Sequence, residues 1–361
     1  MRPDPIGEAR RQIEICNACR YCEGYCAVFP AITVQKSFAD GDIVQLANLC
    51  HNCRGCYYAC QYVPPHEFAL NLPAALAEAR LESWERFAWP GGLARLFQRS
   101  GGAVALALGL GVALLFAAIR AFGTGEGEGF YALLGHSAMV AIFLPAFLLP
   151  LLALGVGLRR YWREVGGAPL RLADLRAALK NAASLRNLGG GQGQGCNFEA
   201  GDRFSDRRRR LHQAALYGFL LCFAATASAT VMLYIFGLEA PYGFLTPPKL
   251  LGVPGGLLLA AGSGGLLWLK RKTPKELGAP SAWSAENAFS ALLFFVAVSG
   301  LALYALGGTV AEAALLALHL GGVAALFLLT PYSKMAHGFY RLAALARDAQ
   351  RVRAGAGDRP G

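Results

Sequence analysis

The chain of 361 residues is 55% hydrophobic and only 16% charged, with a mean hydropathy of +0.38 and a formal net charge of +11. Soluble domains carry about a quarter charged residues, so this composition excludes a wholly globular cytosolic enzyme. The apolar excess begins near Gly101, whereas the first hundred residues are polar and hold eight of the ten cysteines. We therefore expect a small cysteine-rich head on a large membrane anchor.

The N-terminal stretch is charged and has no apolar segment ahead of a small-residue cleavage site. A secretory signal is therefore not predicted. The head is expected in the cytoplasm, where thiols stay reduced and disulfides are disfavoured.

A cysteine pattern occurs twice in the head. The first copy, C-x2-C-x2-C-x3-C, begins at Cys16, and the second begins 34 residues later at Cys50. The match extends beyond sulfur, because Arg20 corresponds to Arg54 and Pro30 to Pro64. The head, placed at residues 1–65, is therefore an internal duplication.

This spacing is typical of [4Fe–4S] clusters, in which three closely spaced cysteines hold one side of a cubane. In two-cluster ferredoxins the fourth cysteine of each run ligates the other cluster. Structural zinc uses C-x2-C pairs and would leave four of the eight sulfurs unexplained. The proline that usually follows the fourth cysteine is absent, with Ala27 and Gln61 in its place. We assign one cluster to Cys16, Cys19, Cys22 and Cys60, and the other to Cys50, Cys53, Cys56 and Cys26.

Residues 66–100 are predicted to connect head and membrane, with an amphipathic helix over 64–89 lying on the membrane surface. Six stretches are then long and apolar enough to cross a bilayer. They make up a membrane domain at 101–340, at 102–122, 129–157, 211–237, 250–269, 285–306 and 312–332.

Basic residues separate the connecting loops into two groups. The 159–210 loop carries twelve Lys or Arg, and the loop 270–280 adds four, whereas the loops 123–128, 238–249 and 307–311 share only Lys249. Because cytoplasmic loops collect Lys and Arg, both termini are expected in the cytoplasm, including a basic tail at 341–361. The net charge thus indicates membrane topology and argues against nucleic-acid binding.

Four of the six histidines fall in or at the ends of the predicted spans, where ionisable side chains are costly and usually functional. Depth pairs His136 with His319 near the outer surface and His212 with His337 near the inner one. Facing imidazoles are natural axial ligands of b-type haem. The alternative is that they only form hydrogen bonds between helices. Arg207–Arg210 could pair with haem propionates or be an ordinary positive-inside cluster.

The remaining residues with metal-ligand chemistry carry weaker signals. His51 and His66 are expected to face solvent and Cys222 to pack within a span. Cys196, in the GCN stretch, is expected to be an ordinary loop cysteine, with the alternative that it touches the head or a partner. The predicted fold class is mostly α: a ferredoxin-like head with two [4Fe–4S] clusters on a six-helix bundle of the cytochrome b type. G-x-G-x-x-G does not occur, so a Rossmann-type flavin or nicotinamide site is unsupported.

The stretch HLGGVAALFLLTPYSKMAH resembles the last span of respiratory nitrate reductase gamma subunits, which are quinol-linked dihaem cytochromes. In that family two histidines at this separation ligate different haems, which supports separating His319 from His337. The resemblance places Cys222 where the family has its second outer-haem ligand, so His136 is the candidate for that role.

Nearly the whole chain resembles the tricarballylate/citrate-utilisation iron–sulfur membrane proteins of the TcuB/CitB type. It is also similar to the C-terminal half of a flavoprotein fusion used in aerobic cobalamin synthesis. The motifs are CNACRYCEGYCAVFP, LCHNCRGCYYACQYVPPHEFALNLP and GCNFEAGDRFSDRRRRLHQAALYGFLLCFAATASAT. The resemblance implies a separate FAD-dependent tricarballylate dehydrogenase, whose flavin this protein reoxidises.

The resulting hypothesis is an electron-transfer subunit of an oxidoreductase in the cytoplasmic membrane. It would pass electrons from the partner's flavin through two clusters and one or two b-type haems to quinone. Lys249 and Tyr242 are weak candidates for binding a quinone oxygen, with the alternative that they are ordinary loop residues. Two other functions stay open: a component of a corrin-ring oxygenase and a membrane redox sensor.

Overall fold

The computed structural model describes residues 4–122, 135–190, 193–199 and 201–355. Within these ranges the chain is made of helices and loops, with one isolated antiparallel bridge between Cys196 and Ser205. This confirms the mostly α fold class. In chain order, the α-helices described are α1 (Pro5–Cys19), α2 (Val28–Thr33), α3 (Asp40–Leu49), α4 (Gly55–Tyr58), α5 (Leu72–Phe87), α6 (Leu93–Phe122), α7 (His136–Glu164), α8 (Leu172–Ser184), α9 (Arg207–Tyr234), α10 (Pro247–Arg271), α11 (Trp283–Ala305), α12 (Glu312–Leu329) and α13 (Ala336–Gly355).

Side-chain caps fix where the longer head helices begin. The Asp4 carboxylate accepts a hydrogen bond from the Ile6 N–H at 3.1 Å at the start of α1, and Pro5 suits its first turn. The Asn71 side chain accepts one from the Ala74 N–H at 3.3 Å at the start of α5. α1 ends at Cys19, and the next residue, Arg20, has a left-handed φ of 57° that caps the helix.

The helix predicted as a surface connector belongs instead to the core of the head. In α5, Leu76 is 1% exposed, and Trp84 and Phe87 are also buried. These residues pack with α1 and α3, whose Ile13 and Ile43 are fully buried. An amphipathic pattern shows that a helix has an apolar face, but it cannot tell a protein core from a membrane surface. The connector prediction was therefore wrong.

Among the described residues, six helices are long and apolar enough to cross a membrane, which agrees with the number of predicted spans and with a multi-pass membrane protein. They are Leu93–Ile119, His136–Glu164, Arg207–Tyr234, Pro247–Arg271, Pro280–Ala305 and Glu312–Leu329. Many of their leucines face outward, as lipid contact requires, with Leu114 at 68% exposed. The predicted loop 123–128 and the first residues of the predicted span 129–157 lie outside the described residues.

The bundle is held by close helix contacts at small residues. α9 and α10 make the most extensive contact, and at their crossing a Cβ on Gly262 would lie 2.3 Å from the Ala215 backbone nitrogen. Only glycine permits this approach. Close packing of small residues is the usual way for membrane helices to associate, because lipid provides no hydrophobic driving force between them.

The C-terminal residues, predicted as a basic tail from 341, form α13 and pack on the head. Tyr340 and Ala344 are buried there against α3 and α7. The Gln45 amide donates to the Ala344 carbonyl at 2.8 Å and accepts from the Tyr161 hydroxyl at 2.5 Å. This polar chain joins the head to one membrane helix and to the C-terminal helix. Residues 356–361 lie outside the described residues.

Candidate functional site

The first cysteine set lies around a cavity at the surface of the head. Cys16 and Cys19 are on the last turn of α1, Cys22 is in the following turn, and Cys60 follows α4. All four line one cavity of about 270 Å³, together with aromatic residues of the second repeat such as Tyr57. Cys19 is exposed, so this cavity opens to solvent.

The second cysteine set lies deeper. Cys26, Cys50, Cys53 and Cys56 line an adjacent cavity, along with His51 and Arg54 of the same loop. Cys56 also contributes to the wall of the first cavity, so the two cavities share a boundary. Each cavity thus includes the four cysteines that the sequence assigned to one cluster, with Cys60 in the first and Cys26 in the second.

The thiols within each set are close enough to influence one another. Burial and the neighbouring Cys22, Cys60 and Cys19 raise the pKa of Cys16 to about 12. In the second set, burial followed by Cys53 and Cys50 raises the pKa of Cys26 well above its usual value. Such thiols ionise only when an electrophile such as iron takes the place of the proton. All ten cysteines are free thiols, so the residues fit iron–sulfur ligation.

Across the described ranges, no three His, Cys, Asp or Glu side chains converge on one ion position. A cubane does not need that convergence, because each thiolate binds a different iron and the four sulfurs surround the whole cluster.

The structure brings His212 and His337 together at the end of the bundle that adjoins the head. Their ring centroids are 5.8 Å apart with the rings at 74°. The Nδ1–H of His337 donates to the Lys334 carbonyl, and Nδ1 of His212 is buried without a hydrogen-bond partner. Burial and the charge of Arg341 lower the pKa of His337 well below its usual value, so it is neutral, the form that binds metals. These residues fit the axial ligands of a haem.

His337 differs from its predicted place. The sequence put it at the end of the sixth span, but α12 ends at Leu329 and His337 is the second residue of α13. The turn between the helices places the ring beside α9 rather than inside the bundle.

His51 also differs from its prediction, because it is only 8% exposed and its Nδ1–H donates to the Leu49 carbonyl at 2.8 Å. Burial and the charge of Arg341 lower the pKa of His51 well below its usual value. The prediction that His51 faces solvent was wrong.

The outer pair has different surroundings. His319 lies seven residues into α12, as predicted, and its Nδ1 is 3.1 Å from the Ser299 hydroxyl. A Cβ on Gly300 would lie 2.8 Å from the His319 ring, so glycine gives the imidazole its room. His136 is the first residue of α7, not seven residues inside a span, and its Nε2 is 2.9 Å from the Tyr234 hydroxyl. The pairing of His136 with His319 was predicted from an equal depth in their spans, and the structure does not place them at equal positions in their helices.

The two quinone candidates each have a partner within the protein. The Lys249 ammonium lies over the Tyr304 ring, 4.4 Å from its centroid. The Tyr242 hydroxyl donates to the Ala229 and Leu238 carbonyls at 3.3 and 3.2 Å.

Four arginines, which we call the arginine cluster (Arg54, Arg80, Arg208 and Arg341), surround the Cys50–Arg54 loop. Arg80 and Arg341 donate to the Cys50 carbonyl at 2.7 and 2.6 Å, and Arg208 donates to the Asn52 carbonyl at 2.6 Å. Arg54 donates to the Asn52 side chain at 3.0 Å. Within the described part of the chain, none of the four forms an ion pair with Asp or Glu.

The arginine cluster ties the second cysteine loop to both histidine helices. Arg208 and His212 are four residues apart on α9, and His337 and Arg341 are four residues apart on α13, so each pair shares one helix face. Both arginines bond the same loop. The second cysteine set and the His212/His337 pair are therefore neighbours, joined by two helices.

A half-buried ion triad lies beside this region. Glu286 on α11 binds Lys270 on α10 at 2.7 Å and also binds Lys334. With the arginine cluster, six cations thus stand near one carboxylate. Buried charge is costly unless it is balanced, so this arrangement suits anionic groups such as cubanes with four thiolates and haem propionates.

Two family models match the chain. The model described as Citrate utilization protein B matches residues 93–358, and the model described as Citrate utilization protein B Fer4-like domain matches residues 9–85. The chain belongs to the citrate utilization protein B family. Citrate utilization protein B of Escherichia coli is 44% identical over 360 residues, covering 98% of this chain and 94% of that protein. No solved structure gives a significant match.

In this member of the citrate utilization protein B family, sequence reasoning offered contact between the head and the loop that covers the second cysteine set only as the weaker alternative for Cys196. The Asn197 N–H donates to the Cys53 carbonyl at 2.9 Å, and Cys196 beside it is buried. The Phe198 ring lies between the guanidinium groups of Arg54 and Arg208, at 4.7 and 4.0 Å. The motif GCNF was visible in the sequence, but only its contacts reveal that it belongs to the site.

Proposed function

We propose that this protein carries electrons from a partner FAD-dependent tricarballylate or related tricarboxylate dehydrogenase to membrane quinone. Two [4Fe–4S] clusters in the head and b-type haem in the bundle would carry them. The family and its Fer4-like domain support an iron–sulfur electron-transfer role in citrate or tricarboxylate utilisation. The partner enzyme, haem and quinone are our additions.

The observation that carries this proposal is the order of the candidate sites. The first cysteine set is at the surface of the head, the second set lies beneath it, and His212/His337 lies next, at the end of the membrane bundle. Such a series suits a donor that gives two electrons and two protons at its flavin. Electrons would pass singly, and quinone would take up two electrons and two protons.

The residues have separate tasks in this proposal. Cys16, Cys19, Cys22 and Cys60 hold one cluster, and Cys26, Cys50, Cys53 and Cys56 hold the other. His212 and His337 hold the inner haem, with Arg208, Arg341 and Lys334 available to its propionates. His136 and His319 are proposed for an outer haem, and Lys249 and Tyr242 for quinone. We place the protein in the cytoplasmic membrane with both termini in the cytoplasm, as the basic loops favour.

The test begins with protein purified in detergent. We expect eight cluster irons per chain from chemical analysis, since two cubanes hold four each. A pyridine-haemochrome assay and a reduced-minus-oxidised spectrum then count haem. Two haems per chain would support both histidine pairs, and one would remove His136 from the proposal. Full cluster content without any haem band would contradict the membrane part of the pathway.

Variants separate the inner haem from general damage. His337→Ala should abolish the inner-haem band while leaving the cluster irons in place, because its ring is a proposed ligand. His66→Ala is the matched control, since His66 contacts Tyr62 and Phe68 in the head and is not a proposed haem ligand. Equal haem content in both variants would contradict the assignment. Lys249→Ala with unchanged quinone reduction would remove Lys249 as a quinone ligand.

A further inference from the structure

The two candidate cluster sites differ in the charge around them. Arg20 and Arg54 occupy the same position in the two repeats, and both have left-handed backbone angles, with φ of 57° and 68°. Arg20 is exposed and donates to the Asn17 carbonyl, whereas Arg54 is 2% exposed and belongs to the arginine cluster. The second set is thus the one with buried cations.

The arginine cluster forms hydrogen bonds with the second cysteine loop. Arg80 and Arg341 bond the Cys50 carbonyl, and Arg208 bonds the Asn52 carbonyl between Cys50 and Cys53. Backbone N–H donors to sulfur add to this difference. Each set has one such bond, from Asn52 N–H to Cys50 Sγ at 3.4 Å and from Tyr62 N–H to Cys60 Sγ at 3.3 Å. The second set also has donors from Val28 and Phe29 to Cys26 and from Gly55 to Cys53, so the arginine substitutions below isolate the cationic part of the effect.

Building on the proposed function, we propose that the arginine cluster holds the reduction potential of the Cys26/Cys50/Cys53/Cys56 cluster above that of the Cys16/Cys19/Cys22/Cys60 cluster. Reduction adds one electron and hence one negative charge to the group the cysteines bind. Fixed cations in a medium of low dielectric constant favour that added charge. Cluster potentials depend on net charge, hydrogen bonds to sulfur and solvent exposure.

Solvent exposure opposes the effect of the arginines on the difference between the two reduction potentials. Water at the exposed Cys19 edge also stabilises added negative charge, so it raises the potential of the first cluster. Bulk water and salt, however, screen an exposed charge such as Arg20, whereas buried guanidinium groups are screened much less. Guanidinium also stays protonated in proteins, so the four charges are permanent. We infer that the arginines outweigh the water, and that electrons collect on the cluster beside His212/His337.

The experiment is a redox titration of the whole detergent-purified protein, monitored by electron paramagnetic resonance. Wild type should give two one-electron steps. Arg54→Gln should lower only the higher-potential step, by about tenfold in its equilibrium constant, which is 59 mV for a one-electron couple. Arg20→Gln is the matched control, because it changes the same residue at the equivalent left-handed position, and it should shift either step by less than a third of that amount.

Further variants separate charge from structure. Arg54→Lys keeps the cation and should restore most of the potential. If Arg54→Gln does not fold, Arg80→Gln repeats the test from α5 without changing the cysteine loop. Raising the salt concentration should leave the separation of the two steps nearly unchanged, because the cations involved are buried.

The results also distinguish this inference from the function on which it rests. Protein lacking iron and sulfide would contradict the proposed function. Full clusters with coincident potentials, or with the higher step unmoved by both arginine substitutions, would overturn only the inference. Equal shifts from Arg20→Gln and Arg54→Gln would also overturn it, since a general change in net charge would then explain both.

Discussion

The two copies of the cysteine motif share their local geometry but not their surroundings. In each copy, an arginine with positive φ follows the cysteine that begins a tight turn, at Arg20 and at Arg54. The first turn remains at the surface, whereas the second is covered by the Asn197–Phe198 loop and by the ends of α9 and α13. The duplicated loops therefore share their backbone geometry, whereas tertiary contacts give each loop a different environment.

The largest difference between the two sites is expected when one cysteine ligand is removed from each cysteine set. Cys19→Ser and Cys53→Ser should each lower the cluster iron from eight to about four per chain, since each cubane holds four. Cys53→Ser should also weaken the contact between head and membrane domain, because its loop is bonded by Arg208 and Arg341 through the neighbouring residues. Cys19 is exposed, so its loss should leave that contact intact.

Iron analysis and limited trypsin digestion measure the two effects separately. Cys53→Ser should release the head from the membrane domain faster than Cys19→Ser does. Equal digestion rates in the two variants would mean that the buried loop does not depend on its cluster. Loss of all eight irons in either variant would mean that the two sites assemble only together.

The eight cysteines and six spans could be read from sequence because both are local patterns. Ligand spacing identifies a cubane loop, and about twenty apolar residues identify a span. The exchange of Cys26 and Cys60 was also predictable, since a duplicated ferredoxin motif implies it. None of these inferences requires knowledge of which helices touch.

The arginine cluster could not be predicted because its members come from four distant segments. The sequence predicts that Arg80 lies in a surface connector and Arg341 in a tail, but both donate hydrogen bonds to the Cys50 carbonyl. An arginine on an amphipathic helix normally faces water, and only the packing of α5 and α13 against the loop places these two inside. The predicted depth of His136 was wrong for a related reason. The predicted span begins at residue 129, before the residue at which the helix starts, so the hydropathy pattern places His136 too deep.

A second prediction concerns the charge balance beside the second site. Glu286→Gln removes the carboxylate that binds Lys270 and Lys334. Leaving a fully buried charge without a partner costs about 3–5 kcal/mol, and these half-buried ammonium groups should cost part of that, so the variant should unfold at a lower temperature in detergent. Circular dichroism during heating measures this change.

The control for that variant is Glu8→Gln. Glu8 forms an ion pair with Arg11 at 2.7 Å, and the Arg11 and Glu8 side chains are 44% and 43% exposed. Surface pairs contribute about 0–1 kcal/mol, so this variant should unfold close to wild type. If the two variants lowered the unfolding temperature equally, Glu286 would have no special part in balancing the cations, and the contrast between the two cluster sites would rest on the arginines alone.

The smallest expected effect tests the loop that covers only the second site. Phe198→Leu keeps apolar volume but removes the ring between Arg54 and Arg208. Each cation–π contact contributes about 0.5–2 kcal/mol, so the loop should open several-fold more often. Trypsin cleavage near Arg203 and Arg207 reports that opening, because cleavage follows the population of the open form when reclosing is fast. Phe68→Leu, at an exposed aromatic ring packed on Tyr62 and His66, should leave the cleavage rate unchanged. A faster rate in both variants would mean that loop 193–206 responds to the head as a whole, and that its contact with the second repeat is not specific.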